Sequence, residues 1–141
     1  MTRTYVVTGA ASGIGAATAA LLTGQGHRVI GVDLHDADVT VDLTTHEGRA
    51  ALVTHVTEHS GGRIDAIVAN AGLATESTAT VAVNYFGAIA TLDGLRPLLA
   101  GSDAPRAVAT ASMASLFPVD DALVDACLAH AEPAALHRAQ Q

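Results

Sequence analysis

The chain has 141 residues, of which 50% are hydrophobic and 3% aromatic, and it carries a formal net charge of −7. A chain of this length forms one domain, and its acidity disfavours binding to nucleic acid or to an acidic membrane surface. The single cysteine, Cys127, excludes an internal disulfide and is typical of a reducing, cytoplasmic location. Glycines and threonines interrupt the uncharged segment 4–26, which therefore reads neither as a signal peptide nor as a membrane span.

A strand and a helix joined by a glycine-rich loop open the chain. Residues 5–8 form an apolar run typical of a buried strand, and an Ala-rich helical pattern follows the loop. Glycine permits the tight turn and lets the backbone approach a pyrophosphate, whose charge is favoured at a helix N-terminus. Many glycine-rich turns bind nothing, but this context predicts a dinucleotide site. Its residues are Thr8, Gly9, Ser12, Gly13, Ile14 and Gly15.

The second predicted strand, 28–33, ends in the carboxylate of Asp33. This residue lies eighteen positions after Gly15, near the spacing at which an acidic side chain meets the adenosine ribose. Its oxygens would accept hydrogen bonds from both ribose hydroxyls and would repel a 2′-phosphate. No arginine stands at Ser12 or Leu34 to attract such a phosphate, so NAD is favoured over NADP. The alternative is a solvated turn aspartate.

The rest of the chain alternates strands with helices. The further predicted strands are 39–41, 64–69 and 107–111, and the predicted helices are 45–58, 78–99 and 120 or 121 to 131. Alternation of this kind predicts an α/β fold, with a parallel sheet, right-handed crossovers and helices on both faces. The expected fold is a Rossmann-type doubly wound sheet.

Two helix ends carry specific expectations. Thr44 and Glu47 have the spacing of a capping box at the start of the helix 45–58. Pro133 interrupts the last helical pattern, and the run 130–138 is expected to be an exposed, fraying end.

The histidines and the cysteine favour structural roles. His55 and His59 are four positions apart on a predicted helix, which could bring two imidazoles to one face. No third ligand lies nearby in the sequence, so a solvated helix face is the better interpretation and no metal site is predicted. Cys127 lies in an apolar helical pattern and is expected to be a buried small hydrophobe.

Further residues complete a recognisable set. Asp42 follows the third strand, Asn70-Ala71-Gly72 follows the fourth, Asn84 lies in the long helix and Ser112 follows the fifth strand. Together with the glycine loop and Asp33, and in this order, they resemble the short-chain dehydrogenase/reductase family over essentially the whole chain. The short connection 35–41 and the segment 120–124 resemble the branch containing bacterial 3α-hydroxysteroid dehydrogenase/carbonyl reductases.

The resemblance implies a role for each cofactor residue. Asp42, followed by Leu43, would hydrogen-bond the adenine amino group. Asn70 would tie the central strands together, and Ala71 and Gly72 would let the cofactor ribose pass close to the backbone. These residues join the glycine loop and Asp33 in the expected NAD site.

The resemblance also implies two catalytic residues. Asn84 would hold a water in a proton relay, and Ser112 would orient the substrate carbonyl or hydroxyl beside the nicotinamide. Each has a structural alternative: Asn84 could merely satisfy a buried backbone group, and Ser112 could be an ordinary strand-end hydroxyl.

The chain departs from the family at its acid/base pair. The family uses a tyrosine followed four positions later by lysine, and this chain contains no lysine. Tyr5 belongs to the first strand and Tyr85 has Ile89 four positions on, so neither takes the role. We therefore expect residues 1–141 to be the NAD-binding, N-terminal part of a longer single-domain enzyme, interrupted after the fifth strand. This segment alone should be inactive.

The expected function is hydride transfer between NAD and a secondary alcohol or ketone. A steroid or other hydrophobic carbonyl substrate is implied only by the resemblance to the branch. Family resemblance also implies a homodimer or homotetramer formed through the helix 78–99. The alternative function is a non-catalytic NAD-binding sensor or scaffold module, and a third possibility is a truncated product that does not fold independently.

Overall fold

The computed structural model describes residues 1–141 as alternating strands and helices. The strands are β1 (Thr4–Thr8), β2 (Arg28–Asp33), β3 (Val39–Thr40), β4 (Ala66–Ala69) and β5 (Arg106–Ala109). The helices are α1 (Gly13–Gly24), α2 (His46–Ser60), α3 (Thr78–Val81), α4 (Ala88–Leu95), α5 (Asp121–Leu128) and α6 (Glu132–Arg138). None of them is long and apolar enough to cross a bilayer.

All five strands are parallel and lie in the order β3-β2-β1-β4-β5. The chain moves outward from β1 to β3 and then returns to β4 on the other side of β1. Because crossovers between parallel strands are right-handed, this reversal places α1 and α2 on opposite faces of the sheet. The predicted Rossmann-type doubly wound sheet is confirmed.

The main core lies between the sheet and the two helices, α2 and α4, that cover one of its faces. Its side chains are branched aliphatics from the central strands and from the inner sides of these helices. The fully buried members include Val6, Val32, Leu52, Val56, Ile64 and Leu95. Burial of a side chain of this size contributes about 1.5–3 kcal/mol to folding, and this cluster therefore anchors the central strands.

The predicted helix 78–99 is a single helical run with an irregular centre. Between α3 and α4 lies a π-helical segment, Ala82–Gly87, and the run ends in a 3₁₀ turn, Arg96–Leu99. A π-helical turn is rare and is frequently found at functional sites. Asn84 lies inside this segment, which links the irregular geometry to the candidate site.

The C-terminal run is not the frayed end that the sequence predicted. A separate helix, α6, begins at Glu132, with Pro133 in its first turn, where the missing N–H group of proline is tolerated. Glu132 and Ala135 are buried. The run folds because Glu132 forms an ion pair with Arg49 of α2, a partner 83 residues away.

The helices α5 and α6 form a hairpin that packs against the π-helical segment. Cys127 and Ala135 contact Phe86 in a small second core. Cys127 is buried, as expected, and burial raises the pKa of its thiol. Asp120 caps α5 by accepting a hydrogen bond from the N–H of Leu123, and it also pairs with Arg138.

Candidate functional site

An open crevice of about 420 Å³ lies at the carboxyl ends of the central strands, where the strand order reverses. Ten of the twelve predicted cofactor residues line it: Gly9, Ser12, Gly13, Ile14, Asp33, Asp42, Leu43, Asn70, Ala71 and Gly72. Sequence reasoning missed seven further lining residues: Val32, Leu34, Val41, Thr44, Leu73, Val83 and Thr110. Most of them adjoin a predicted residue, so chain proximity could have identified them.

The glycine-rich loop forms one wall of the crevice. Gly9 and Gly13 have φ angles of +70° and +55°, a backbone conformation that favours glycine. A Cβ atom on Gly15 would lie 2.0 Å from the carbonyl oxygen of Gly9, so only glycine lets α1 approach the loop this closely. The side chain of Ser12 caps none of the first N–H groups of α1, which have no acceptor within the helix. This end of α1 therefore suits an anion.

Thr8 and Asn70 support the crevice by connecting adjacent strands. The Thr8 hydroxyl oxygen accepts hydrogen bonds from the N–H groups of Asn70 and Ala71, both at 2.9 Å. The Asn70 amide oxygen accepts a 2.9 Å hydrogen bond from the Thr110 hydroxyl. Thr8 is buried beneath the crevice rather than in its wall. Asn70 therefore joins β1, β4 and the end of β5.

The carboxylate of Asp33 lies at the end of β2, next to the glycine-rich loop. Its oxygens accept hydrogen bonds from the backbone N–H groups of Ala11, at 2.9 Å, and Leu34, at 2.7 Å. These bonds place the carboxylate in the crevice wall, where it is accessible to a ligand hydroxyl.

Asp42 occupies the next strand end along the sheet. Its Oδ1 accepts hydrogen bonds from the Thr44 hydroxyl, at 2.6 Å, and from the Thr44 N–H, at 2.9 Å. These hydrogen bonds, and the nearby Arg49 cation, hold the pKa of Asp42 below its usual value. The predicted Thr44 cap is consequently wrong: Thr45 caps α2 by accepting from the Gly48 N–H. The Thr44 hydroxyl donates to Asp42 instead.

Asn84 and Ser112, the two predicted catalytic residues, do not line the crevice. The Asn84 amide oxygen accepts from the Leu73 N–H at 2.8 Å, and its amide nitrogen donates to the Leu73 carbonyl at 2.9 Å. The Ser112 hydroxyl accepts from the Ala114 N–H at 3.1 Å and caps a 3₁₀ turn. Asn84 thus bonds an exposed backbone group rather than a buried one, Ser112 caps a local turn, and the catalytic roles of both residues stay predictions.

The histidine pair on α2 has a local contact. His59 Nδ1 lies 2.9 Å from the backbone carbonyl of His55, and both side chains are exposed. Nowhere in residues 1–141 do three or more His, Cys, Asp or Glu side chains converge on one point.

A parallel sheet in this order, with a glycine-rich loop after its central strand and a carboxylate ending the next one, defines a dinucleotide-binding Rossmann fold. The profile of the short chain dehydrogenase family matches residues 3–124, and the chain belongs to this family.

Three individual proteins illustrate the relationship. The 3-alpha-hydroxysteroid dehydrogenase/carbonyl reductase of Comamonas testosteroni is 40% identical over 113 residues, which cover 78% of this chain and 44% of that protein. The cis-4-hydroxycyclohexanecarboxylate dehydrogenase of Sinomonas cyclohexanicum is 43% identical over 88 residues, covering 51% of this chain and 35% of that protein. The crystal structure of the 3-alpha-hydroxysteroid dehydrogenase from Pseudomonas sp. B-0831, complexed with NADH, superposes with a TM-score of 0.92 at 43% identity.

The superposition covers 98% of this chain and 56% of the Pseudomonas protein. The chain thus spans about half the length of the relatives that it matches.

Proposed function

We propose that residues 1–141 are the NAD-binding part of a single-domain oxidoreductase that moves a hydride between NAD and a secondary alcohol or ketone. The observation that carries this proposal is the position of the Asp33 carboxylate, in the crevice wall beside the glycine-rich loop. The NADH in the similar Pseudomonas structure supports the same cofactor here.

The residues of the crevice divide the work of holding the cofactor. The loop 9–15 and the first turn of α1 bind the pyrophosphate through backbone N–H groups. Asp33 accepts hydrogen bonds from the two hydroxyls of the adenosine ribose, and a 2′-phosphate there would meet its negative charge. Asp42 and Leu43 contact the adenine, and the backbone of residues 70–72 lies close to the second ribose.

Bound NAD supplies the hydride chemistry, and the chain supplies orientation and electrostatics. In the proposed reaction, Ser112 turns its hydroxyl from the Ala114 N–H toward the substrate oxygen. Asn84 holds the loop after Gly72 through both its amide atoms, which supports the wall beside the nicotinamide. The tyrosine and lysine that move the proton in this family have no counterpart in a chain without lysine.

A hydrophobic substrate, such as a hydroxysteroid, is the proposed class. The names of the Comamonas and Pseudomonas relatives support it. So does the segment directly after Ser112, where Met113, Leu116 and Phe117 are 80%, 81% and 67% exposed. Apolar side chains beside the proposed carbonyl-orienting hydroxyl suit an apolar ligand.

A non-catalytic NAD-binding sensor or scaffold is the second candidate function. The contact of Ser112 with Ala114, outside the crevice, favours it. A cytoplasmic location and a homodimer or homotetramer belong to both proposals. The hairpin of α5 and α6 covers the Phe86 side of the composite helix 78–99, so an oligomer formed through this helix uses its other surfaces.

The ribose assignment is tested by exchanging Asp33→Arg. Loss of the charge-assisted hydrogen bonds, about 1.5–3 kcal/mol, should weaken NADH binding roughly 10- to 150-fold and improve NADPH binding. Dissociation constants for both cofactors, measured by nicotinamide fluorescence, check this. Asp93→Arg makes the same charge change at an exposed position of α4 and should leave both constants unchanged. Unaltered relative affinities in Asp33→Arg would remove Asp33 from the ribose site.

Turnover tests whether the acid/base pair of the proposed reaction lies outside residues 1–141. The chain 1–141 should not reduce NAD in the presence of a 3α-hydroxysteroid or a simple secondary alcohol, because losing a positioned acid/base costs about 10²–10⁴ in rate. NADH absorbance at saturating cofactor is the measurement. Robust cofactor-dependent turnover would show that an acid/base residue lies within this chain and that the family assignment of that role is wrong.

A further inference from the structure

Arg49 is a buried cation with a full set of partners. Its Nε donates to the Leu43 carbonyl at 2.8 Å, and its Nη2 donates to the Ala82 carbonyl at 3.1 Å. Both terminal nitrogens donate to the Glu132 carboxylate, at 2.8 Å each. Only 7% of Arg49 is exposed. One guanidinium thus joins the strand end beside the crevice, the π-helical segment and α6.

The strand end that Arg49 holds, Asp42–Thr44, is closely packed on two other sides. A Cβ atom on Gly48 would lie 1.7 Å from the Asp42 carbonyl oxygen, so the first turn of α2 rests on this backbone. A Cβ atom on Gly87 would lie 3.3 Å from the Leu43 side chain. The segment is therefore located by its packing and by the hydrogen bond from Arg49, while its polar edge faces the crevice.

Glu132 keeps Arg49 in this position. A buried guanidinium without a carboxylate is strongly unfavourable, because its lost hydration has no replacement. Arg49 in turn lowers the pKa of Glu132, which favours the carboxylate form at neutral pH. His46 also lies near this carboxylate, 3.4 Å away, but its side chain is 83% exposed. Without Glu132, the Arg49 side chain would turn toward solvent and leave the Leu43 carbonyl.

We propose that Arg49, held by Glu132, is a positioning residue for adenine recognition: it fixes Asp42–Thr44 so that the Asp42 carboxylate accepts from the adenine amino group. The inference rests on the proposed NAD site and adds to it a residue pair that does not touch the cofactor. Neither Arg49 nor Glu132 lines the crevice. Their effect on binding is consequently indirect, and the proposal places it at the adenine end.

The test compares NAD with its hypoxanthine analogue, which carries a carbonyl oxygen where adenine carries the amino group. The unaltered chain should bind NAD about tenfold or more tightly than the analogue, because one charge-assisted hydrogen bond is lost. Arg49→Lys keeps the positive charge, but its ammonium group cannot donate two hydrogen bonds to the Glu132 carboxylate and a third to the Leu43 carbonyl. It should weaken NAD binding about tenfold, leave analogue binding nearly unchanged and so abolish the preference.

Two more variants sharpen the result. Glu132→Gln retains the shape of the side chain and should reduce the preference by a smaller factor; it decides the question if Arg49→Lys does not fold. Arg138→Lys makes the same exchange in the exposed pair with Asp120 and should leave both affinities unchanged. Titration calorimetry gives the dissociation constants, and a thermal melt of each variant confirms folding.

Each failure has a separate meaning. Equal losses for NAD and the analogue in Arg49→Lys would indicate general destabilisation and overturn the inference alone. An undiminished preference in both variants would overturn it as well. An unaltered chain that binds the two dinucleotides equally would remove Asp42 from adenine recognition, and one that binds neither would overturn the proposed NAD site itself.

Discussion

The first and last strands along the chain, β1 and β5, differ sharply in packing although both belong to the same sheet. Val6, Val7 and Thr8 of β1 are at most 1% exposed, whereas all four residues of β5 are exposed and Val108 reaches 56%. β1 lies between β2 and β4, with helices over both faces, while β5 is an edge strand with little cover. The apolar composition of a strand therefore does not by itself decide its burial.

This difference divides the candidate site as well. The glycine-rich loop, Asp33 and Asn70 extend from the ends of the well-packed strands. Thr110 and Ser112 follow β5, in the part of the molecule with the fewest buried apolar contacts. Local opening is easiest where such contacts are few, so we expect the segment after β5 to open more readily than the glycine-rich loop, Asp33 and Asn70.

Core truncation should give the largest contrast between the two regions. Leu52→Ala, in the core beneath the central strands, should lower the free energy of unfolding by about 2–5 kcal/mol. Leu116→Ala makes the same exchange at an 81% exposed position after β5 and should stay within about 0.5 kcal/mol of the unaltered protein. Urea unfolding followed by circular dichroism measures both. Equal losses would mean that the segment after β5 is packed in solution.

A smaller contrast is expected within α1, between a crowded glycine and a free one. Gly15→Ala places a methyl group 2.0 Å from the Gly9 carbonyl oxygen and should lower the free energy of unfolding by about 1–3 kcal/mol. It should also weaken NADH binding. Gly24→Ala meets nothing within 4 Å and should stabilise the helix by about 0.5–1 kcal/mol. Melting temperatures and NADH titrations distinguish them. A harmless Gly15→Ala would show that the loop can move away from α1.

The smallest expected effect lies at Asp65, which joins the well-packed strands to β5. Its carboxylate accepts from the Ser102 hydroxyl, at 2.7 Å, and from the Thr4 N–H, at 2.8 Å. These hydrogen bonds lower the pKa of Asp65 below its usual value. A lowered pKa in the folded state stabilises the protein above the unfolded value, near pH 4, and this contribution disappears as the pH falls through the folded value.

Ser102→Ala removes the largest cause of that shift and should raise the pH at which acid unfolding begins. Stability at neutral pH should change less than in Leu52→Ala. Acid titration followed by circular dichroism gives the midpoint, and Ser115→Ala, an exposed serine after β5, is the control. A midpoint that moves equally in both variants would show that the Asp65–Ser102 hydrogen bond does not determine the pH of acid unfolding.

Features set by local sequence were predictable. The alternation of short apolar runs with helical patterns located all five strands to within about two residues, and the glycine spacing located the loop. Such elements depend on periodicity and on backbone freedom, which neighbouring residues express. The alternation of strands and helices then predicted a parallel sheet, but it did not predict the order of the strands.

Features that depend on distant partners were not predictable. Arg49 and Glu132 are 83 residues apart, and neither one signals the other in the sequence. The π-helical segment includes Asn84, whose side chain binds Leu73 eleven residues earlier, outside the helix. The cap of α2 was predicted wrongly for a local reason, because Asp42 accepts the Thr44 hydroxyl hydrogen bond and Thr45 caps the helix instead.

The register of β1 has a consequence for synthesis of the chain. Thr4 pairs with Arg28 on one side, and Tyr5 pairs with Ala66 on the other. At about 5–20 residues per second, the 38 residues from Arg28 to Ala66 take the ribosome roughly 2–8 s. During that interval the nascent β1 has one open edge, a template for pairing with other chains. The central strand of the folded sheet is therefore the one whose second edge stays open for this interval.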